Sequence, residues 1–468
     1  MRIARKKSLE NIRNESEQSK LKKSLRAKDL ALLGMGSVIG TGIFVATGQG
    51  AHMAGPGIIL SFIITAIISG LCCLMYSELA TMFPVSGSTY SYSYIAFGEF
   101  TAWIVGWDLI LAYLINASAV GAGWSATFVG LLHSIGIDLP KALTVSRIAD
   151  PQGFVDLPAI CITLLVTYIL FIGISESAKM NNLIVVIKVA VILLFIGLGV
   201  SHINLANLQP MMPFGWTGIM SGAAIVFYAY TGFDSISTAA EESVNPARDV
   251  PLGLIICLGT VSALYIAVAL VLTGMVPFHQ INILEALPAA LSSVGIHWGS
   301  ALVAVGGIIG MVSSLLVSLY GQIRIFMVMS RDGLLPKKFG KIHLVHKTPH
   351  YATWITGGLC AIVAGVLPLP MIIDLTNLGT LSAFIIVAVG VMVLRKSMPN
   401  VERKFRLPLV PLLPIITIAG CLYLMIHISA VTWFNFLLWL GAGSIIYFMY
   451  GYRFSNLNTD TPIESVKE

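Results

Sequence analysis

The stretch DLALLGMGSVIGTGIFVATGQ, residues 29–49, decides how the chain is read. It forms most of the first apolar run, residues 30–50, and places Gly34, Gly36, Gly40, Gly42 and Gly48 within it. Each glycine weakens a helix interior by ~1 kcal/mol relative to alanine. Gly40-Thr41-Gly42 falls at the centre of the run, where a bilayer is driest. Backbone freed there must find partners in protein, ions or a bound solute. Two readings fit: small residues that let helices pack closely, or an unwound break over Ile39–Ile43 between two half-helices. The stretch alone does not separate them.

Working outward, 56% of the 468 residues are hydrophobic and 11% are charged. A soluble protein carries roughly 25% charged residues. Apolar runs of about 20 residues, each long enough to cross a ~30 Å hydrocarbon core, recur along the whole chain. The expectation is an all-α, multi-pass membrane protein with twelve transmembrane helices. Their ranges are 30–50, 57–82, 99–131, 156–174, 180–202, 217–240, 250–275, 298–328, 350–367, 371–394, 408–429 and 431–451. Residues 84–98, PVSGSTYSYSYIAFG, read as a short interfacial helix with tyrosines at headgroup level. Residues 1–29 are polar and basic, so no cleaved signal peptide is expected. Cys72, Cys73, Cys161, Cys257, Cys360 and Cys421 lie in apolar runs without metal-site spacing and read as free, buried thiols.

Orientation follows from the basic residues. With the N-terminus in the cytoplasm, 25 of the 28 Lys and Arg fall on that side. Both termini are therefore expected inside, as the tails 1–29 and 452–468. The basic N-terminal tail suits anionic lipid better than nucleic acid.

The sixth run carries the second interruption. It contains YAYTGFDSIS, residues 228–237, with Gly232 and Asp234 at mid-span. A charge at that depth costs about 2.5–3.5 kcal/mol on insertion scales and is seldom kept without a function. Breaks in runs one and six occupy corresponding places in two five-helix units, residues 30–202 and 217–394. Five is odd, so the second unit is inverted, and paired breaks in an inverted repeat point to a transporter's central site. This decides the first stretch in favour of a break. Half-helix N-termini suit a carboxylate, and half-helix C-terminal carbonyls suit an ammonium. Together they suit an α-amino acid. Its carboxylate is expected at Thr41, Gly42 and Ile43, with Gly40 beside them in the site, and its amino group near the carbonyls of Ile39, Tyr228, Ala229 and Thr231.

The chain resembles the amino acid–polyamine–organocation superfamily, in particular bacterial relatives of the cationic amino acid transporters. The resemblance rests on GSVIGTGIF (36–44), YSELATMFPVSGSTYSYSY (76–94), GWDLILAY (106–113), ESAKMNNLIVVIKVAVILLFI (176–196), YTGFDSISTAAEESVNPARDVP (230–251) and YGQIRIFMVMSRDGLLP (320–336). It implies a 5+5 inverted repeat of the LeuT type with two peripheral helices at 408–451. It also implies secondary transport of amino acids across the plasma membrane, commonly coupled to protons. The major facilitator architecture is disfavoured, because residues 84–98 contain no Lys or Arg where its basic motif would stand.

Lys188 stands nine residues into the fifth run. It reads either as a snorkelling lysine or as a proton carrier, since burial disfavours the charged ammonium. The resemblance places an ion of sodium-coupled relatives near this level, which an ammonium would replace. Asp234 reads as a cap for the second half-helix of the sixth run, or as a proton or substrate residue. Relatives often carry Glu where this chain has Ala112. Exchange or uniport therefore stays open, with Asp108 as the neighbouring carboxylate. The resemblance puts Ser318 beside the substrate side chain, with helix packing as its other reading. Phe233 reads as a gate or as core. Glu78, Glu241, Glu242, Arg248, Arg324, Arg331 and Asp332 read as inner-gate pairs or solvated caps.

The expected function is a secondary amino acid importer, with protons and membrane lipids as partners, no cofactor and no metal. Branched or small neutral and cationic substrates are both open, and so is a monomer or weak oligomer. An amino acid sensor on the same scaffold would need a signalling extension, and an enzyme would need a catalytic motif that the chain lacks. A channel would need a ring of pore helices.

Overall fold

The computed structural model describes residues 5–6, 23–85, 87–173, 178–343, 345–346 and 348–457, with residues 178–180 as backbone only. Most of the basic N-terminal tail, the end of the C-terminal tail, and Glu176 and Ser177 of the fourth motif lie outside these residues. Among the described residues the elements are helical, with two isolated β-bridges.

In chain order the helices are α1 (Ala27–Val38), α2 (Thr47–Ala54), α3 (Ile58–Met82), α4 (Ser88–Ala96) and α5 (Glu99–Ser134). Then follow α6 (Leu157–Ile172), α7 (Ala178–Gly199), α8 (Gly215–Val226), α9 (Ser235–Thr238), α10 (Pro246–Met275) and α11 (Ala286–Ser293). The chain ends with α12 (His297–Arg331), α13 (His350–Val366), α14 (Leu369–Ser397), α15 (Leu412–Ile426) and α16 (Ala430–Ile446).

Among the described residues, seven helical runs are long and apolar enough to cross a membrane: 42–82, 99–134, 181–202, 246–275, 297–331, 369–397 and 430–454. The helices α6, α13 and α15 are apolar but shorter. The first and sixth expected spans differ in kind, because each is divided. Their leading pieces, α1 and α8, have 12 residues each. A 12-residue helix is about 18 Å long, well short of a hydrocarbon core.

The core forms where α5 packs on α12 and α14, and where α10 packs on α1 and α3. The divided segments sit among these long helices and not at the periphery. Gly42, Ile43, Tyr230 and Phe233 are all buried.

Two expectations are corrected. The tyrosines of α4 are not displayed at a headgroup surface. Tyr90, Tyr92 and Tyr94 are buried where α4 packs on α5 and α14. Tyr90 donates to Asp332 at 2.6 Å and Tyr94 to Glu99 at 3.2 Å, so protein carboxylates take the place of headgroups. All six cysteines are free, but Cys161 is exposed on the outer face of α6 and is not part of the core.

Polar contacts close one end of the bundle. Arg324, near the end of α12, pairs with Glu242 and donates to the Thr238 carbonyl. The segment just before α1 is tied to the same loop: Val244 N–H donates to the Leu25 carbonyl at 2.9 Å. Glu78 does not join this pair. It forms a bidentate contact with Arg395 (3.0 and 2.6 Å), and Arg403 lies 3.3 Å away. Breaking a buried pair of this kind costs about 3–5 kcal/mol, because one charge is left uncompensated.

Candidate functional site

The first break is narrower than the sequence suggests. α1 ends at Val38, Ile39 is extended (φ −76°, ψ 93°), and Gly40 bends. Thr41 is already helical, and Gly42–Ala46 form a π turn. Thr41, Gly42 and Ile43 therefore belong to the start of the second half-helix, and the break itself is Ile39–Gly40. The wide turn is closed at Thr47, whose hydroxyl donates to the Gly42 carbonyl at 3.3 Å.

A helix end leaves its last carbonyls without intrahelical partners. Here three helices supply them. The Lys188 ammonium on α7 donates to the Gly36 carbonyl at 2.6 Å and to Ser314 Oγ at 2.9 Å. Ser314 on α12 approaches both the Gly36 carbonyl (2.9 Å) and the Ile39 carbonyl (3.0 Å). Tyr265 on α10 donates to the Val38 carbonyl at 3.1 Å. The Ile39 carbonyl, expected to meet a substrate amino group, thus already has a protein donor; a carbonyl keeps a second lone pair. Lys188 is completely buried, and its stem lies over Gly310, where a Cβ would stand 3.0 Å from Lys188 Cγ. A cation at a helix C-terminus is favourable by up to ~2 kcal/mol in partly buried geometries.

The second break follows a 3-10 turn, Phe227–Tyr230. Thr231 is extended (ψ 144°), and Gly232 has φ +101°. Glycine is needed there twice over: L-residues avoid that φ, and a Cβ would stand 2.5 Å from Ser37 Oγ on α1. The Thr231 hydroxyl folds back to the Tyr228 carbonyl at 2.8 Å. The two breaks touch. A Cβ on Gly42 would lie 2.4 Å from Ala229 Cα. Thr41, buried beside Gly123, directs its hydroxyl to Met311 Sδ at 3.4 Å.

Asp234 makes no capping hydrogen bond with its side chain. Its carboxylate accepts from the Tyr113 hydroxyl of α5 at 3.1 Å. The Ser237 hydroxyl donates to the Asp234 backbone carbonyl, at 2.6 Å. The carboxylate is therefore turned away from α9 and toward α5.

A cavity of ≈ 20 Å³ lies at this point, lined by Thr231, Gly232 and Asp234 from the break and by Ala112, Tyr113 and Asn116 from α5. Leu109 of α5, Thr376, Thr380, Ala383 and Phe384 of α14 and Tyr76 of α3 complete the wall. That volume holds about one water, whereas small-molecule pockets measure roughly 300–1,000 Å³. The walls are drawn in around the second break. A larger groove of ≈ 320 Å³ between α3 and α10 includes none of the broken-helix residues. Backbone geometry, not cavity size, singles out the site.

The remaining expected residues separate. Phe233 is fully buried behind the cavity wall, edge-on to Tyr76 at 5.8 Å and tilted against Phe384 at 5.2 Å. Ser318 accepts from Asn116 Nδ2 at 2.9 Å and so bears on the cavity through Asn116. Sequence reasoning missed Tyr113, Asn116, Tyr265 and Ser314. A polar residue inside an apolar run marked Asn116 and Ser314. The two tyrosines gave no such signal, since aromatic residues are common in apolar cores.

The sequence profile of a family described as "Amino acid permease" matches residues 25–452. The branched-chain amino acid permease BcaP of Bacillus subtilis (strain 168) is 44% identical over 97% of this chain and 99% of its own length. The methylthioribose transporter of the same organism is also 44% identical, over the same shares of both chains. The vacuolar cationic amino acid transporter 2 of Arabidopsis thaliana is 34% identical over 85% of this chain and 64% of its own length.

Proposed function

The chain belongs to the amino acid permease family, and on that premise we propose that it is a secondary transporter that imports a neutral, branched-chain amino acid together with a proton. The observation that carries this reading is the contact between the two breaks at Gly42 and Ala229. It brings the start of one half-helix against the end of another. N–H groups that suit a carboxylate thereby face carbonyls that suit an ammonium.

In this reading the substrate backbone is held by Gly40, Thr41, Gly42 and Ile43 on one side and by Ile39, Tyr228, Ala229 and Thr231 on the other. Phe233 and Ser318 support the side-chain pocket through Tyr76, Phe384 and Asn116. Asp234 is committed to Tyr113, which favours a neutral over a cationic side chain. Lys188 carries a coupling proton. Loss of that proton would leave a neutral amine at Gly36 and loosen the end of α1, linking protonation to the first break. The topology proposed is twelve spans in two inverted units, 30–202 and 217–394, with helices 408–451 outside them. Both termini lie in the cytoplasm of a bacterial cell, and the protein works as a monomer or weak oligomer.

A second reading has a specific basis. The methylthioribose transporter matches as well as the branched-chain permease does, and its substrate, as named, is not an amino acid. Exchange or uniport would follow if Lys188 did not release its proton.

Uptake into proteoliposomes decides among these. One labelled branched-chain amino acid is supplied with and without an inward pH gradient and competed with neutral amino acids, cationic amino acids and methylthioribose. Accumulation that follows the gradient and is competed only by branched neutral amino acids supports the reading. Uptake competed by methylthioribose alone, or no response to the gradient, overturns the corresponding part.

A further inference from the structure

Asp108 is 2% exposed, and among the described residues neither carboxylate oxygen has a hydrogen-bond partner. The other buried carboxylates differ. Asp234 accepts from Tyr113, Glu99 from Tyr447 and Ser455, and Glu78 from Arg395. Each carboxylate built for structure has its donors, and Asp108 does not.

Its position gives this a direction. Asp108 and Ala112 are one turn apart on the same face of α5, and both bear on Gly379 of α14. A Cβ there would stand 3.0 Å from Asp108 Oδ1 and 3.4 Å from Ala112 Cβ. Ala112 lines the cavity, and so do Leu109 on α5 and, on α14, Thr380 next to Gly379 and Thr376 about one turn before it. The carboxyl group therefore lies one turn behind the cavity wall, separated from it by small and hydroxyl-bearing residues. It is nine residues into α5, or about 14 Å along the helix axis from Glu99.

The groups that could neutralise it are committed elsewhere. On α12, Arg324 pairs with Glu242; on α14, Arg395 pairs with Glu78. On α4, Tyr90 and Tyr94 serve Asp332 and Glu99, and the buried Tyr92 hydroxyl makes no hydrogen bond to Asp108. Tyr113 on α5 itself serves Asp234. Of the other titratable groups, Asp374 on α14 and Cys360 on α13 are no cations, and Cys360 is turned to the Leu114 carbonyl; Arg331, His350 and Lys396 stand at the ends of α12, α13 and α14. An unpaired charge inside a membrane span costs about 2.5–3.5 kcal/mol on insertion scales, and a bound proton removes it.

We propose that Asp108 is a proton-carrying residue of the transport cycle, protonated while the cavity is closed and exchanging that proton with water when the cavity opens past Ala112. This deepens the proton-coupled reading and rests on it. Lys188 and Asp108 lie on different sides of the site, one at the first break and one beside the second. The proton bonds to a carboxylate oxygen when the cavity is closed and passes to water on opening, leaving the carboxylate hydrated.

The test uses the full-length protein in two formats. In detergent at neutral pH, the infrared difference spectrum between wild type and Asp108→Asn is expected to contain a protonated-carboxyl C=O band that hydrogen–deuterium exchange shifts. Absence of that band overturns the proposal, whatever the substrate proves to be. In proteoliposomes, Asp108→Asn is expected to lose at least tenfold in pH-gradient-driven accumulation while keeping substrate counterflow within twofold of wild type. Asp108→Glu is expected to restore accumulation with a shifted pH profile. Unchanged accumulation in Asp108→Asn overturns the proposal. So does equal loss of counterflow and accumulation in both variants, which marks a structural role. So does a variant that keeps accumulation and changes only competition by cationic amino acids. If wild type itself shows no gradient-driven uptake, the transport reading fails, and the infrared band still decides the protonation of Asp108.

Discussion

The Lys188 ammonium lies 2.6 Å from the Gly36 carbonyl, so a lysine on α7 terminates α1 across 152 residues of sequence. The same ammonium reaches Ser314 on α12. One side chain thus joins three helices at the point where the first span is interrupted, and a change in its protonation would be felt by all three.

Replacing Lys188 by alanine is expected to abolish pH-gradient-driven accumulation. A charge-assisted hydrogen bond of about 1.5–3 kcal/mol is lost, which corresponds to about ten- to a hundredfold in the coupled equilibrium. Counterflow should survive, because Ser314 Oγ stays within reach of the Gly36 and Ile39 carbonyls and donates to one of them. Gradient-driven uptake that persists in a normally expressed Lys188→Ala protein removes Lys188 from coupling.

The contact between the breaks is tested by adding one methyl group. In Gly42→Ala the new Cβ meets Ala229 backbone at 2.4 Å, and backbone cannot swing aside as a side chain can. Uptake should be lost. Gly70→Ala is the control, since its Cβ meets nothing closer than 3.8 Å and transport should stay within twofold of wild type. Gly232→Ala adds backbone strain at positive φ and should lower stability by about 1–3 kcal/mol, read as a drop in melting temperature.

The pair between Arg324 and Glu242 is partly buried, with side-chain exposures of 15% and 26%. It holds the end of α12 to the loop after α9. Arg324→Gln and Glu242→Gln should each increase labelling of a cysteine introduced at Thr376 on the cavity wall. The double variant should label no more than either single one, because both remove the same contact. Additive effects would show that the two residues act separately.

On the loop before α11, burial lifts the Glu285 carboxyl above the usual carboxylate range, and nearby His133 partly offsets this. The native state then holds the proton more tightly than the unfolded chain does. Stability contributed by the protonated form is present at low pH and falls as pH rises from the unfolded value, about 4.3, through the raised native value. Glu285→Gln should flatten this dependence in melting curves taken between about pH 4 and 7. A wild-type curve that already lacks the dependence contradicts the assignment.

The glycine pattern at Gly40–Gly42 and the Gly232–Asp234 pair were enough to locate both interruptions, because a helix-breaking residue acts on its own backbone. The extent of the first break was not legible. Thr41–Ile43 read as unwound, yet the chain re-enters a helix at once through a π turn, a local geometry that depends on packing against Ala229. Asp234 read as a cap for the second half-helix, or as a proton or substrate residue; its side chain makes no cap, and the Tyr113 hydroxyl, 121 residues away, donates to its carboxylate. The α4 tyrosines read as interfacial because residues 84–98 are polar and aromatic rather than an apolar span. Asp332, 242 residues from Tyr90, draws them inward.

What the sequence determined by itself is the class of molecule and the two places where its helices must stop. Apolar length and sparse charge are read within a single segment, and the glycine breaks by setting one run against the other, so no tertiary contact is needed to read them. Only the tertiary structure decided which groups satisfy the opened backbone and which do not. Lys188, Ser314 and Tyr265 converge on the end of α1 from three helices, and among the described residues Asp108 has no donor beside the cavity wall. Hydrogen bonding between distant segments is set by how helices pack, and a partnerless carboxylate becomes visible only when every neighbour has been placed.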